Sequence, residues 1–127
     1  MIRGFESLLI GSENAKNLAD FYKEKVGLEI GLEAEMGEEN EVLYELKLGK
    51  GPNIYIIDHS KVKDKNKNPE RIIFNIEVDD IEKEVKRLKE AKVMLVQDTY
   101  HIEGYGYIST FEDVDGNYFQ LVQVRAS

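Results

Sequence analysis

The side chains that most often carry catalysis or bind metals are scarce in this chain. Its 127 residues include two histidines, His59 and His101, and no cysteine. The lack of cysteine excludes disulfides, thiolate metal sites and cysteine nucleophiles. The two histidines are not paired at metal-ligand spacing. A metal site would therefore depend on carboxylates such as Glu45 or Glu77.

Glu77 and His101 are the candidates for acid–base catalysis. In the run RIIFNIEV, over 71–78, strand alternation places Glu77 on the same face as Ile73 and Asn75. Burial on that face would raise the pKa of the carboxyl group toward a value useful in catalysis, whereas a place at the hydrated end of the strand would not. His101 lies in DTYHIEGYGY and is interpreted either as a titratable group beside a ligand or as a surface residue.

Tyrosine offers a different chemistry, that of aromatic recognition. The chain has seven tyrosines, and six of them are candidates for a ligand-binding surface. One interpretation is stacking on a flat or cationic ligand, and the other is ordinary core and rim packing. Asn75 also has two interpretations: it either orients a ligand or satisfies local hydrogen bonds. The six are Tyr44, Tyr55, Tyr100, Tyr105, Tyr107 and Tyr118.

Charge and hydrophobicity narrow the class of protein. Seventeen basic and 25 acidic residues give a net charge of −8, and acidic residues are in excess in both halves. This balance argues against a nucleic-acid partner. No apolar run approaches the ~18–20 residues of a membrane span, and the first residues, MIRGFESLLIGSEN, are too soon polar for a signal peptide. We therefore expect one cytoplasmic domain with its own hydrophobic core.

The first half of the chain, residues 1–58, predicts the order β-α-β-β-β. A strand over 5–10 is followed by Ser12 as a helix N-cap. Apolar residues at helical spacing then run as far as Gly27, which is predicted to be the C′ residue. The remaining strands are predicted over 28–36, 41–48 and 53–57.

The second half, residues 70–127, repeats this order. A strand over 71–78 precedes a helix with Asp79 as its N-cap and Glu82 at N3, which is the capping-box arrangement. The buried stripe of this helix is predicted to be Ile81, Val85 and Leu88. The remaining strands are predicted over 93–98, 105–111 and 117–124.

Two connections complete the prediction. Asp115-Gly116 is the dipeptide typical of a type I′ hairpin turn between the last two strands. Residues 59–69, HSKVKDKNKNP, are polar and lysine-rich and are interpreted as a linker between the modules, with His59 exposed.

Two βαβββ modules predict an α+β fold. Each module would form a four-stranded mixed sheet, and the two sheets would surround a cup-shaped cleft with the helices on the outer faces. Alternation along the strand over 71–78 turns four side chains toward the helix, namely Ile72, Phe74, Ile76 and Val78. On the last strand it turns Phe119 and Leu121 toward the core and Tyr118, Gln120 and Val122 toward the cleft.

Three segments resemble the vicinal oxygen chelate superfamily, also called the glyoxalase/bleomycin resistance/dioxygenase proteins. They are LADFYKEKVGLEI in the first helix, FNIEVDDIEKEVKRLKEA in the second module and EDVDGNYFQLVQ near the end. In this order and spacing, the resemblance covers essentially the whole chain. It implies paired βαβββ modules, a cup-shaped site in each sheet, and usually a homodimer that can exchange modules between chains.

The resemblance also implies where a metal would bind. Catalytic members of the family hold a divalent metal with four inward residues, usually histidine or glutamate. The matching positions here are Ser7, Tyr55, Ile73 and Gln120. Isoleucine cannot bind a metal, and phenol and amide groups are poor ligands for Zn²⁺, Ni²⁺, Fe²⁺ or Mn²⁺. We therefore expect neither a metal site nor another cofactor.

Two classes of function remain open. The first is a metal-independent protein that binds an aromatic or cationic small molecule, similar to the drug-sequestering members of the family. The second is an enzyme resembling lactoylglutathione lyase or a dioxygenase. It would use either a divalent metal on non-standard carboxylate or histidine ligands, or Glu77 and His101 as acid–base groups. A third interpretation treats the cup as filled and a dimer surface as the functional part.

We favour the first class because the ligand positions are chemically wrong for a metal. The side chains predicted to contact the small molecule are Ser7, Tyr55, Ile73, Asn75, Tyr107 and Gln120.

Overall fold

The computed structural model describes residues 1–36 and 41–125 of the chain. The chain divides into two compact units, Met1–Asp64 and Lys65–Ser127, so the division falls inside the 59–69 segment. Within the described ranges, neither helix has the length or the apolar character needed to span a bilayer.

The first unit is a four-stranded mixed sheet packed against a helix. Its elements are β1 (Ser7–Ser12), α1 (Ala15–Phe21), a π-helical turn (Tyr22–Val26), β2 (Glu29–Met36), β3 (Glu41–Lys47) and β4 (Asn53–Asp58). The strand order is β1-β4-β3-β2, with β1 parallel to β4 and the other pairs antiparallel. The helical segment ends at Gly27, which has a φ of 96°, as the sequence predicts.

The second unit repeats the first. Its elements are a 3₁₀ turn (Pro69–Arg71), β5 (Ile73–Glu77), α2 (Ile81–Glu90), β6 (Met94–Ile102), β7 (Gly106–Glu112) and β8 (Tyr118–Val124). The strand order β5-β8-β7-β6 matches that of the first sheet, again with one parallel pair, β5 and β8. The predicted α+β class and the two βαβββ modules are therefore confirmed.

Strand alternation gives each sheet one face covered by its helix. In the first unit, Tyr22, Leu46 and Ile56 are fully buried. In the second, Phe111 and Phe119 are fully buried, and their ring centroids lie 6.0 Å apart. Each such burial contributes roughly 1.5–3 kcal/mol to folding. The predicted stripe of α2 is buried at Ile81, Val85 and Leu88.

The alternation prediction is wrong at Ile72, and Val122 is more buried than its predicted place on the inner face suggests. Ile72 precedes β5 instead of belonging to it and is 65% exposed, so it does not face the helix. Val122 is only 3% exposed, although the sequence predicts that it faces an open cleft. It lies on an interior strand between Glu77 and Ile108, its register partners on either side, and these neighbours restrict solvent access to it.

The N-cap of α1 is Asn14 and not Ser12. The Asn14 side chain accepts a hydrogen bond from the N–H of Asn17 at 3.0 Å. Ser12 is still the last residue of β1, and its hydroxyl oxygen accepts from the N–H of Asn14 at 3.1 Å. The strand therefore includes the residue that the sequence predicts as the N-cap, and the helix starts later.

The N-cap of α2 is Asp80 and not Asp79. The Asp80 carboxylate accepts from the N–H of Lys83 at 3.2 Å, so Glu82 does not occupy N3 and the predicted capping box is not formed. Val78 is still paired with β8, because its N–H donates to the carbonyl of Val122 at 2.8 Å. Strand pairing again delays the start of the helix.

The helix α2 ends in a Schellman motif with lysine in the left-handed position. The N–H of Lys92 donates to the carbonyl of Lys89, and that of Val93 donates to the carbonyl of Leu88. Lys92 has a φ of 65°. A residue with a Cβ is strained in this conformation, whereas glycine is not.

The hairpin between β7 and β8 does not use the predicted type I′ turn. The N–H of Gly116 donates to the carbonyl of Asp113, and Gly116 has a φ of 83°, while Asp115 has no positive φ. This is a type I turn followed by a glycine bulge. Oδ1 of the buried Asp113 accepts from the N–H groups of Asp115 at 2.8 Å and Asn117 at 3.0 Å. The side-chain acceptor thus favours this turn over the type I′ form.

Part of the 59–69 segment is fastened to this turn. The N–H of Asn66 donates to the carbonyl of Asp115 at 2.8 Å, and its side chain donates to Oδ1 of Asn117 at 3.0 Å. A Cβ at Gly116 would lie 3.2 Å from the carbonyl oxygen of Asn66. This end of the segment is therefore packed on the second unit.

The last strand of each unit supplies a side-chain oxygen to the start of that unit's helix. Oδ1 of Asp58 accepts from the N–H of Ala15 at 2.8 Å, and Oδ2 accepts from the N–H of Val42 at 3.1 Å. Oε1 of Gln123 accepts from the N–H of Ile81 at 2.9 Å. The first N–H groups of a helix have no partner within the helix, so these bonds satisfy them and hold the helix on its sheet.

Replacing Asp58 by alanine should lower the free energy of unfolding by about 2 kcal/mol, because two backbone N–H groups lose a charged acceptor. Urea unfolding followed by circular dichroism measures this loss. Asp58→Asn keeps an amide oxygen and should lose less. Gln123→Ala removes one neutral bond and should lose about 1 kcal/mol. A stability of Asp58→Ala equal to that of the wild type would contradict the anchoring role.

Replacing Lys92 by glycine should raise the free energy of unfolding by about 0.5–1 kcal/mol, because the left-handed residue no longer carries a Cβ. The same unfolding experiment measures it. Lys86→Gly is the matched control. This lysine lies inside α2, where glycine should lower the free energy of unfolding by about 1 kcal/mol. A destabilised Lys92→Gly variant would show that the lysine side chain contributes more than its strain costs.

Candidate functional site

We call the face of each sheet opposite its helix the inner face. On the first sheet, one row of residues crosses this face in register, from Leu9 through Tyr55 and Glu45 to Leu32. Ser7, one of the predicted site residues, lies in the next row, beside Asn53. Leu9 is 60% exposed and Leu32 is 46% exposed, so the two ends of the row are open to solvent.

The centre of this row is a carboxylate held by two hydrogen bonds. The Tyr55 hydroxyl donates to Oε2 of Glu45 at 3.0 Å. The Asn53 side-chain amide donates to the same oxygen at 3.1 Å. Tyr55 and Glu45 are direct cross-strand partners, so the pairing of β3 with β4 brings them together.

The other carboxylate oxygen of Glu45 lies against Gly31. A Cβ at Gly31 would lie 2.6 Å from Oε1 of Glu45 and 2.5 Å from Cδ of Lys47. The register of β2 shifts between Ile30 and Leu32, which makes Gly31 the extra residue of a bulge. The absence of a side chain at this bulge gives the carboxylate its space.

The hydrogen bond to Glu45 raises the pKa of the Tyr55 hydroxyl above its ordinary value. Partial burial and the negative charges of Glu45 and Glu6 act in the same direction. Tyr55 is therefore a neutral hydrogen-bond donor at physiological pH.

The inner face of the second sheet carries neutral groups at its centre. Asn75, Gln120 and Thr110 form one row in register, and the Gln120 amide donates to the Thr110 hydroxyl at 2.9 Å. Ile73 lies in the next row beside Tyr118 and is 38% exposed. The structure thus brings Ile73, Asn75 and Gln120 together on one face, as strand alternation predicts.

Glu77 shares this inner face but lacks the burial that its acid–base role requires. It is the last residue of β5, beside Val122, and it is exposed. The strand end leaves the carboxylate in contact with water, so the interpretation of Glu77 as a hydrated rim residue fits the structure better.

His101 and Tyr107 lie on the opposite face, away from Gln120. Their rings are in contact, with centroids 4.9 Å apart, and the two residues are register partners. Tyr107 is also the partner of Gln123, whose side chain binds the first residue of α2. Partners in a sheet share a face, so this pair belongs to the helix side. The two register irregularities in β6 offset each other, so His101 lies on the same face as Leu95, the partner of Phe111.

The described side chains do not fit a divalent metal. Among residues 1–36 and 41–125, no group of three or more histidine, cysteine, aspartate and glutamate residues is placed to hold one. The four positions that the family uses carry a hydroxyl, a phenol, an alkyl group and an amide, and Zn²⁺ and similar ions favour none of these. His59 lies outside this set, exposed, with Nδ1 accepting from the N–H of Lys61 at 3.1 Å.

The sequence predicts Glu45 only as a substitute metal ligand, whereas the structure places it at the centre of the inner face, bonded to Tyr55 and Asn53. A partial signal was available, because β3 and β4 form a hairpin around Gly49-Lys50-Gly51-Pro52. Counting outward from those four residues pairs Tyr55 with Leu46, however, and the observed register pairs it with Glu45. The bulge at Gly31 was not readable in the same way, since it depends on how β2 meets β3.

Solved structures with the same architecture come from bacteria and a protozoan. TnmS3, an antibiotic binding protein from Streptomyces sp. CB03234, is 20% identical, with a TM-score of 0.77 over 98% of both chains. A glyoxalase family protein from Enterococcus faecalis is 22% identical, with a TM-score of 0.75 over 95% of this chain and 98% of that one. The trypanothione-dependent glyoxalase I of Leishmania major is 18% identical, with a TM-score of 0.76 over 96% of this chain and 87% of that one.

At these identities the likeness establishes the fold alone. A comparison with curated protein sequences found no match. The model of the Glyoxalase/Bleomycin resistance protein/Dioxygenase superfamily, however, matches residues 4–121, which is nearly the whole chain. Together with the repeated βαβββ units, this match establishes that the chain belongs to the glyoxalase/bleomycin resistance protein/dioxygenase superfamily.

Proposed function

We propose that this protein is a metal-independent member of the superfamily that binds an organic small molecule on the inner faces of its sheets. The observation that carries the proposal is the chemistry at Ser7, Tyr55, Ile73 and Gln120. These side chains are poor metal ligands, yet they are suited to hydrogen bonding and apolar contact.

The side chains on the inner faces favour an aromatic or cationic ligand. Tyr55 and Gln120 present polar groups, while Leu9, Leu32 and Ile73 leave apolar surface exposed beside them. A few polar groups within an apolar surface are typical of small-molecule sites. TnmS3, which has the same fold, is an antibiotic binding protein.

The assembly and location predicted from the sequence are part of this proposal. We expect a homodimer in the cytoplasm, and analytical ultracentrifugation of the purified protein tests the first of these. The competing enzyme function, resembling lactoylglutathione lyase or a dioxygenase, would require a divalent metal on other ligands.

Purified protein should contain far less than one equivalent of any transition metal. Addition of Ni²⁺, Zn²⁺, Mn²⁺ or Fe²⁺ should leave the unfolding temperature unchanged, because a ligand that does not bind the native state cannot stabilise it. Elemental analysis and thermal unfolding measure the two quantities. A stoichiometric metal, or a saturable rise in unfolding temperature with one ion, would favour the enzyme.

Metal-free bleomycin and doxorubicin should serve as probes of ligand binding. At a concentration of about 100 Kd, a specific ligand should stabilise the protein by about 2.7 kcal/mol. Binding can also be followed by tyrosine fluorescence, since the chain has seven tyrosines and no tryptophan. The Tyr55→Phe variant should bind more weakly, and Tyr105→Phe is a matched tyrosine control outside the inner-face rows. Failure of both probes to shift the unfolding temperature would count against a drug-binding role.

A further inference from the structure

The carboxylate of Glu45 is prepared to receive a positive charge. Oε2 accepts from the Tyr55 hydroxyl at 3.0 Å and from the Asn53 amide at 3.1 Å, which restricts the side chain to one orientation. Oε1 lies above Gly31, where a glycine leaves it room. A carboxylate fixed by neighbours spends less conformational entropy when it binds a ligand.

The charged neighbours of this carboxylate are of both signs. The negative charges of Glu45 and Glu6 both raise the pKa of the Tyr55 hydroxyl. The nearest lysine on the strand is Lys47, whose side chain lies against the same glycine as Glu45. In the part of the chain that the structure describes, no ion pair joins Lys47 to Glu45. Lys47 is therefore a neighbour of the carboxylate without being its ion-pair partner.

Apolar side chains flank the charge on both sides of the row. Leu9 is 60% exposed on β1, and Leu32 is 46% exposed on β2. The Tyr55 ring lies between Leu9 and Glu45 in the register of the sheet. An ammonium group at Glu45 would place an attached hydrocarbon or aromatic body over this apolar surface, with the Tyr55 ring as a further cation partner.

The second unit provides an internal comparison. The row that corresponds to Leu9, Tyr55 and Glu45 consists there of Asn75, Gln120 and Thr110. Gln120 and Thr110 satisfy each other through a neutral hydrogen bond of 2.9 Å. The two sheets share a topology, but only the first has a carboxylate at the centre of this row.

We propose that the inner face of the first unit is a subsite for the protonated amine of an aromatic or aliphatic amine ligand, with Glu45 as its counter-ion. This inference rests on the proposed function, since it assigns the cationic part of the ligand to one carboxylate. Tyr55 and Asn53 position that carboxylate, and Leu9 and Leu32 contact the body of the ligand.

Calorimetric titration with a matched pair of probes tests the subsite. The protein should bind 1-naphthylmethylamine, which is protonated at pH 7, at least about tenfold more tightly than the neutral 1-naphthalenemethanol. The Glu45→Gln variant should bind the two compounds equally. Lys47→Ala removes a competing ammonium group and should tighten binding of the amine by about two- to fivefold.

Glu90→Gln is the matched control, because it removes the same charge from the exposed face of α2. It should leave the preference for the amine unchanged, and the unfolding temperatures of all variants verify that they are folded. Equal affinity for the two compounds, or a preference that persists in Glu45→Gln, would overturn the subsite. If bleomycin or doxorubicin binds while neither naphthalene compound does, the subsite fails but the proposed function stands.

Discussion

The hydrogen bond between the last strand of each unit and the first N–H of its helix holds that helix against its sheet. Asp58 performs this role for α1 and Gln123 performs it for α2. A helix held in this way covers one face of its sheet, and the largest fully buried side chains lie there because the helix excludes water from that face. The inner face carries polar side chains together with exposed apolar ones such as Leu9 and Leu32. The candidate site lies on the inner face because the helix covers the other face of the sheet. This location does not depend on the presence of a catalytic residue.

The two units share this architecture and have diverged in chemistry. The inner row of the first unit is centred on a carboxylate that accepts two hydrogen bonds, and that of the second on an amide paired with a hydroxyl. Neither centre resembles a zinc or iron site, because imidazole and multiple carboxylates are lacking there. The largest fully buried side chains of each unit lie on its helix-covered face. The inner positions can therefore differ in chemistry between the two units without loss of the fold.

Local sequence rules failed where longer-range hydrogen bonds competed with them. Ser12 and Asp79 are good capping residues by type, but continued strand pairing moves the caps to Asn14 and Asp80. Asp115-Gly116 favours a type I′ turn in isolation, yet the Asp113 carboxylate accepts two N–H groups that only the observed turn presents. Alternation places Val122 on the inner face, where the sequence predicts exposure, but Val122 is buried because its strand is an interior one. In each case the deciding partner lies outside the residues that the rule considers.

The sequence by itself determined the duplicated order of elements, the α+β class and most of the core. These properties depend on residue type and on short periodic spacing, which can be read along one segment at a time. Only the tertiary structure decided that Glu45 is fixed by Tyr55 and Asn53 above a bulge at Gly31. It also decided that Glu77 is exposed and that His101 and Tyr107 lie on the helix side of their sheet. These outcomes depend on strand register and on bulges, where a shift of one residue transfers a side chain to the opposite face.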